Sequence, residues 1–354
     1  MSYFDNCKIE ILEQTLQLID MSDEEYFTSP LYKDYISNSK LKLINPLEGG
    51  SPEKFLNPPK EDYNSSLEFG SCIHQLILQP NEFGLIDYQD KPSGKLGLFI
   101  EKVFENRSKY HMPIYKAIEF ASKDANYYYG KLTNKIIRNA LEKGFTYYKD
   151  LFLNNIIPEM PEGMVPIVVS SQTFKSVYNC LMAYEFNSPI KDILSRKGIL
   201  KPIQSLNEKA FFVDFKVTFP DGNETILHFK GKLDNFMIDE ENKEIILNDL
   251  KTTSHGVDFF MGYKEFNQET QSYTGYLGSF QKLHYYRQLA AYMYILQYYY
   301  KHLKDYKYYA NILAIESKEP YKSAVFRINN SYIQRGIREF KELMCRAAYI
   351  KMHE

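Results

Sequence analysis

Residues Thr225–Thr253, TILHFKGKLDNFMIDEENKEIILNDLKTT, form two runs of alternating apolar and polar residues joined by a polar turn. A period of two marks a half-buried strand, so this stretch is expected to fold as a β-hairpin. Asp234 lies on the first run, and Asp249 and Lys251 close the second. Residues two apart on a strand project to the same side, which puts Asp249 and Lys251 on one face. Ile245, Ile246 and Leu247 precede them as an unbroken apolar run, the pattern of a central strand. Two carboxylates with a lysine beside them, at the lip of a buried hairpin, suit a divalent cation and a phosphate.

The triplet acid-x-Lys recurs at Asp214, Asp305, Glu316 and Glu339, so the spacing alone says little. Charged residues mostly occupy solvated faces. Context separates Asp249-Leu250-Lys251 from the others. An apolar strand leads into it, a neighbouring strand supplies Asp234, and a helix carrying Gln288 and Tyr292 follows. On the Asp234 strand, Leu227, Phe229, Leu233 and Met237 are expected to face the core. His228, Lys230, Lys232 and Asp234 then face the other way, a cationic track suited to a phosphate backbone. Gln288 and Tyr292, four apart, share a helix face with His284 one turn earlier. Gln288 and Tyr292 are the expected contacts to nucleic acid, an amide for a phosphate or base and a ring for stacking.

Further out, Phe211, Val213, Phe215, Val217 and Phe219 alternate before Pro220-Asp221-Gly222, so a third strand joins the hairpin in an antiparallel meander. A helix of about twenty residues is expected from Gln281. Strands near 310–316 and 323–328 and a C-terminal amphipathic helix complete the pattern. Upstream, residues 67–79 read as a helix stopped by Pro80, and 98–157 and 171–196 also read as helical. The order implies a mixed α/β fold, with a central sheet flanked by helices and a helical N-terminal half. Residues 1–60 are expected to form an arm, and 61–354 one domain with a helical insertion at about 90–200.

The chain has 354 residues, is 44% hydrophobic and carries a net charge of -2, so any nucleic-acid surface must be local. Cys7, Cys72, Cys180 and Cys345 lack paired spacing, which argues against structural zinc, iron–sulfur clusters and a disulfide framework. No apolar run is long enough to span a membrane, and the polar MSYFDNCKIE is unlike a signal peptide, so a cytoplasmic location is expected.

Several segments, in order, resemble the RecE-type exonucleases of phages and prophages, within the PD-(D/E)xK nuclease superfamily that includes RecB-like and lambda-exonuclease-like enzymes. They are ISNSKLKLINP from Ile36 with SPEKFL from Ser51, SLEFGSCIHQLILQP from Ser66, KGKLDNF from Lys230, and IILNDLKTTS from Ile245. HYYRQLAAYMYIL from His284 and ILAIESKEPYKSAVFRI from Ile312 complete the series. Lys232 stands where that family often has arginine. The resemblance implies a restriction-endonuclease-like core in which Asp234, Asp249 and the backbone carbonyl of Leu250 hold Mg²⁺, with Mn²⁺ able to substitute. It adds His74 as a further metal ligand and Glu208 as an additional acid. Lys251 would orient or help deprotonate the attacking water. It further implies 5′→3′ digestion of double-stranded DNA ends, an annealing-protein partner, a ring-shaped homo-oligomer and, for a phage-encoded chain, the host cytoplasm. Two alternatives are a RecB-like repair or restriction endonuclease and a catalytically silent DNA-binding scaffold.

Overall fold

The computed structural model describes residues 3–59, 65–89, 91–125, 161, 163–268 and 271–353, together with positions 138, 141, 142, 144, 146 and 147. In chain order the elements are β1 (Lys8–Asp20), α1 (Asp23–Thr28), α2 (Asn38–Lys42), α3 (Pro52–Leu56), α4 (Ser65–Leu78), β2 (Phe83–Asp87), α5 (Gly94–Ser108) and α6 (Ile114–Asp124). There follow β3 (Val165–Val169), α7 (Ser171–Asn187), α8 (Pro189–Leu194), β4 (Gln204–Thr218), β5 (Glu224–Asp239), β6 (Glu244–Thr253), β7 (Tyr263–Asn267) and β8 (Ser272–Tyr276). The last are α9 (Ser279–Lys282), α10 (Tyr285–Tyr299), β9 (Lys307–Glu316), β10 (Ser323–Arg327) and α11 (Asn330–Met352).

The chain divides into two compact units: residues 1–59, 187–316 and 322–354 in one, and 60–186 with 317–321 in the other. The arm expected over 1–60 is therefore not a separate piece. Through residue 59 it belongs to the unit built on the large sheet, and the second unit begins well before the insertion expected at 90. Much of the helical stretch expected at 98–157 lies outside the described residues. Its first part is α5 and α6.

The first unit is built on a six-stranded sheet in the order β1-β4-β5-β6-β9-β10. β6 and β9 run parallel, connected through α10, and the other pairs are antiparallel. The meander expected from alternation is β4-β5-β6. Its apolar positions Phe211, Val213, Phe215, Val217 and Phe219 all enter one core with Leu289, Ala290 and Ile295 of α10 and Phe340, Leu343 and Ala347 of α11. α10 and α11 approach so closely that a Cβ on Gly336 would lie 2.4 Å from the Tyr286 carbonyl oxygen. The expected single helix from Gln281 is split, because His284 takes a left-handed conformation (φ 50°) between α9 and α10.

Sequence reasoning missed β2, β3, β7 and β8 and, in the large sheet, β1. β1 pairs with β4, but its register shifts between Leu12 and Gln17, which disrupts the period-two signal. Serine hydroxyls cap the short arm helices: Ser22 caps α1 in a reciprocal box with Glu25, and Ser37 and Ser51 cap α2 and α3. Between α1 and α2, Ile36 forms a parallel bridge to Phe229 of β5. Its N–H donates to the His228 carbonyl at 2.8 Å and its carbonyl accepts from Lys230 N–H at 2.8 Å.

The second unit holds α4–α6, most of α7 and the parallel pair β2-β3. Its core gathers Phe99, Ile100, Val103, Ala117 and Ala121. Among the described residues no helix is long and apolar enough to cross a membrane.

Candidate metal centre

β5 and β6 pair from Asp239↔Glu244 as far as Asn235↔Asn248, and there the backbone ladder stops. Beyond that rung the strands part. Ile36 takes up bonding positions on β5 at His228 and Lys230, and β6 continues alongside β9 as far as Thr253↔Glu316. Asp234 and Asp249 stand at this fork, one on each strand. The Asp234 carboxylate takes over a ladder bond, accepting the Leu250 N–H at 2.7 Å.

Side-chain alternation on β5 breaks at the same point. Leu227, Phe229 and Leu233, at odd positions, enter the main core, whereas beyond the fork Phe236 and Ile238, at even positions, do so. Met237 was expected beside Leu233; it is buried but lies outside that cluster. Opposite Asp234, Glu208 has φ +51°, a left-handed value rare for a residue with a side chain, and no rung forms between them. One carboxylate oxygen each of Glu208 and Asp234 lie within 4.8 Å of one another.

Lys251 reaches into the fork. Its Nζ lies 2.7 Å from Asp249 Oδ2, 3.3 Å from the Leu250 carbonyl oxygen and 3.9 Å from Asp234 Oδ2. The Tyr285 ring lies beneath it, 5.4 Å from Nζ to the centroid. Burial by itself would lower the amine's pKa, but the Asp249 and Asp234 charges more than offset that and hold it well above its usual value. Gln288 Nε2 donates to Asp249 Oδ1 at 3.1 Å, which fixes the rotation of that carboxylate and leaves Oδ2 toward the lysine. Three oxygens from Asp234, Asp249 and Leu250 thus surround one cationic nitrogen. An all-oxygen set of two carboxylates and a carbonyl is the donor chemistry that a hard divalent ion takes, so the residues fit Mg²⁺ or Mn²⁺. Glu208, pushed up to about 7 by burial and then by Asp234, with Lys232 opposing, adds a third carboxylate at the edge of the fork.

The expected cationic track has a different role. Lys230 is 5% exposed; its Nζ donates to the Tyr26 carbonyl at 2.7 Å and stands over the Tyr26 ring. Burial lowers its pKa, and it presents no surface charge to a phosphate. Lys232 is paired with Asp23 at 2.6 Å and Glu208 at 2.8 Å. His228 meets Asp214 at 2.7 Å. The arm, distant in sequence, takes up Lys230 and shares Lys232 with β4, which also pairs His228.

Tyr292 also departs from expectation. It is 6% exposed and packs edge-on to Phe211 at 5.3 Å, so no ring face is open to a base. A Cβ on Gly231 would lie 2.4 Å from Phe211 and 2.8 Å from Tyr292, so only glycine leaves room for both rings. The Tyr292 hydroxyl stands 3.5 Å from Gln288 Nε2 and backs that amide. His284 does not share the site face, because its left-handed backbone breaks the helical period. Its Nδ1 instead meets Glu339 Oε1 at 2.6 Å. His74 is half-buried on α4 of the second unit.

A second polar cluster surrounds Arg287, next to Gln288 on α10. Arg287 Nη1 reaches Glu48 at 2.5 Å and Glu339 at 2.8 Å, and its Nε donates to Asn38 Oδ1 at 3.0 Å. Tyr286 donates to Glu339, and Asn45 donates to both acids. This network ties the arm to α10 and α11. The rival triplet at Glu316 is structural as well: its carboxylate accepts the Val257 N–H at 2.9 Å and the Lys322 N–H at 3.1 Å.

A family model covers the C-terminal part of the chain, which carries the fork. Residues 216–354 match the family model of a PDDEXK-like domain of unknown function, DUF3799. That stretch includes β5, β6, β9, β10, α10 and α11, and the sheet flanked by helices is the mixed α/β arrangement of such a domain. Among solved structures, the chain is similar to a crystal structure titled "Putative exonuclease" from Eubacterium rectale. The identity is 13%, the coverage is 95% of this chain and 88% of that one, and the TM-score is 0.45. No curated protein matches the sequence.

Proposed function

We propose that this protein is a divalent-metal-dependent nuclease that hydrolyses DNA phosphodiesters from double-stranded ends. The observation that carries the reading is the oxygen set at the fork, Asp249 Oδ2, the Leu250 carbonyl and Asp234 Oδ2 around the single Lys251 ammonium. Asp234, Asp249 and the Leu250 carbonyl would hold Mg²⁺ or Mn²⁺, which would polarise the scissile phosphate and acidify water. The remaining chemistry belongs to the chain itself. Gln288 holds Asp249 in one rotation. Lys251, kept protonated by its acidic neighbours, offers a point charge to the phosphate oxygens as negative charge builds on them. The PDDEXK-like match over 216–354 supports the same chemistry.

The finer parts of the reading rest on the ordered motifs that resemble RecE-type exonucleases. These parts are 5′→3′ polarity, a ring-shaped homo-oligomer, a single-strand annealing partner and His74 as an added ligand. The test is to incubate end-labelled linear duplex and closed circular DNA with EDTA, Mg²⁺, Mn²⁺ or Ca²⁺. Loss of labelled ends with Mg²⁺ or Mn²⁺ but not EDTA, with circles intact, is the expected result. Labelled ends that survive every metal would leave the silent scaffold in place, and rapid cutting of circles would make the protein an endonuclease. The labelled products give the polarity. Weaker Mn²⁺ binding by His74→Ala tests the added ligand.

A further inference from the structure

Behind the fork, four asparagines lie in register across four neighbouring strands. Asn207 of β4 is opposite Asn235 of β5, Asn235 is opposite Asn248 of β6, and Asn248 is opposite Asn311 of β9. Their amides join head to tail. Asn311 Nδ2 donates to Asn248 Oδ1 at 2.8 Å, Asn248 Nδ2 to Asn235 Oδ1 at 2.7 Å, and Asn235 Nδ2 to Asn207 Oδ1 at 2.6 Å. Asn235 also donates to Ser205 Oγ at 2.8 Å, so both of its amide hydrogens are used. Asn235, Asn248 and Asn311 are buried, with Asn248 at 0% exposure.

Four aligned amides, three of them buried where apolar residues could sit, need a reason, because a buried polar chain stabilises only while every link is made. Their position supplies one. Asn235 follows Asp234 directly, and Asn248 precedes Asp249, so each amide lies behind one acid. The Asn235↔Asn248 pair is also the last backbone rung before β5 and β6 part. A slip of one residue there would turn Asp249 and Lys251 together away from Asp234. An apolar pair at that rung would tolerate such a slip, whereas the amide chain closes in only one register.

We infer that the asparagine chain locks the register at the fork, and that Asn235 and Asn248 are positioning residues for the metal-holding carboxylates. Neither amide touches the site; each acts through the acid beside it. This rests on the proposed nuclease reading for its metal, but the register lock itself can be read without one.

The test compares Asn248→Leu with Asn311→Leu in the full-length protein. Asn311→Leu removes only the link to Asn248, whereas Asn248→Leu removes that link and also the one between the acid-bearing strands. Two readouts apply to protein shown to be folded by circular dichroism. Isothermal titration of Mn²⁺ should show affinity about tenfold weaker or worse in Asn248→Leu, the scale seen when a group supporting a metal ligand is lost, and unchanged in Asn311→Leu. Hydrogen exchange at the Leu250 amide, whose bond to Asp234 spans the fork, should speed up in Asn248→Leu well beyond any global loss of protection, and not in Asn311→Leu. Equal behaviour of the two variants in both readouts would overturn the inference and make the chain a packing feature only. If Asn248→Leu does not fold, the smaller Asn235→Ser breaks the same rung and is judged by the same measurements. If wild type and Asp249→Ala alike fail to bind Mn²⁺, the nuclease reading falls while Leu250 exchange still decides the lock.

Discussion

The fork at Asp234 and Asp249 and the cluster around Arg287 are built from the same parts, carboxylates gathered about one cation, yet they differ in how the cation is held. At the fork the cation is the end of a flexible lysine, 15% exposed, beside an Asp234 side chain 13% exposed. In the cluster it is a planar guanidinium, 1% exposed, between Glu48 at 3% and Glu339 at 12%. Arginine cannot shed its proton, and its fork of donors is matched here by Glu48, Glu339 and Asn38. Lysine binds as a point charge that a hard ion can displace. The contrast teaches that a group of acids becomes a metal site through the exchangeability of what already neutralises it. Glu48, His284 and Glu339 each offer a ligand atom within 4.8 Å of one another, as a metal would require, but Arg287 already neutralises both acids.

The largest expected effect breaks the comparison at its centre. Asp249→Ala should lower metal-dependent cleavage by about a thousandfold or more, as when one member of a cooperating set is removed. Glu339→Gln should leave the cleavage rate of folded protein near wild type. Single-turnover rates on end-labelled duplex measure both, and a similar loss in the two variants would erase the distinction. Next is stability. Arg287→Met leaves Glu48 and Glu339 buried without their cation and should cost about 3–5 kcal/mol in urea denaturation. Mn²⁺ should not restore it. Recovery with Mn²⁺ would show that the cluster is a metal site held shut only by arginine.

How far the sequence reveals each region follows from the range of the interactions that make it. Asp249 and Lys251 are legible because a strand's period of two is local, and Phe211 to Phe219 are legible for the same reason. β6 and β9 emerge close to their expected bounds, and α11 is the amphipathic helix expected at the C-terminal end. The fate of Lys230 is not legible, because the carbonyl that binds it belongs to Tyr26, two hundred and four residues away. Nor is the Arg287 cluster, whose acids lie 239 and 52 residues from it. The asparagine chain lies between these cases. An asparagine beside each acid, in DNF and NDL, is visible in the sequence, but the register that aligns them exists only once the strands pair. Tyr292 shows the limit of helical spacing: a shared face was expected to mean contact with DNA, and that face packs on Phe211.

A third effect sharpens the lysine side of the contrast. Lys251→Met removes the displaceable cation and leaves Asp234 and Asp249 facing each other. Cleavage should fall by about a hundred- to a thousandfold. The metal-free variant should also be less stable than wild type, and Ca²⁺ at about a hundred times its Kd should return about 2.7 kcal/mol. At that same Ca²⁺ concentration the gain should exceed that of wild type, whose affinity is weakened because the ion must first displace the ammonium. Thermal melts with and without Ca²⁺ measure the difference, and equal shifts would mean that Lys251 does not occupy the ion's place.

The smallest expected effect is in acid, and its sign separates the two regions. Burial alone would raise the Glu339 carboxyl, but hydrogen bonds from His284 and Tyr286 and the Arg287 charge overcome it and hold the group at about 2, below its ordinary 4.5. A depressed carboxyl contributes stability that is present above its unfolded value and is lost as pH falls through the folded one, here between 4.5 and about 2. The loss is about 3 kcal/mol at most, and Glu339→Gln should flatten the stability curve in that window. Glu208, raised to about 7 chiefly by burial and then by Asp234, has the opposite sign in metal-free protein. Its contribution is complete below 4.5 and fades as pH rises through about 7, so Glu208→Gln should act near neutrality. Urea midpoints between pH 2 and 8 for the two variants test this. Matching curves would mean that the fork and the cluster hold their acids in the same way, and the contrast between them would reduce to exposure alone.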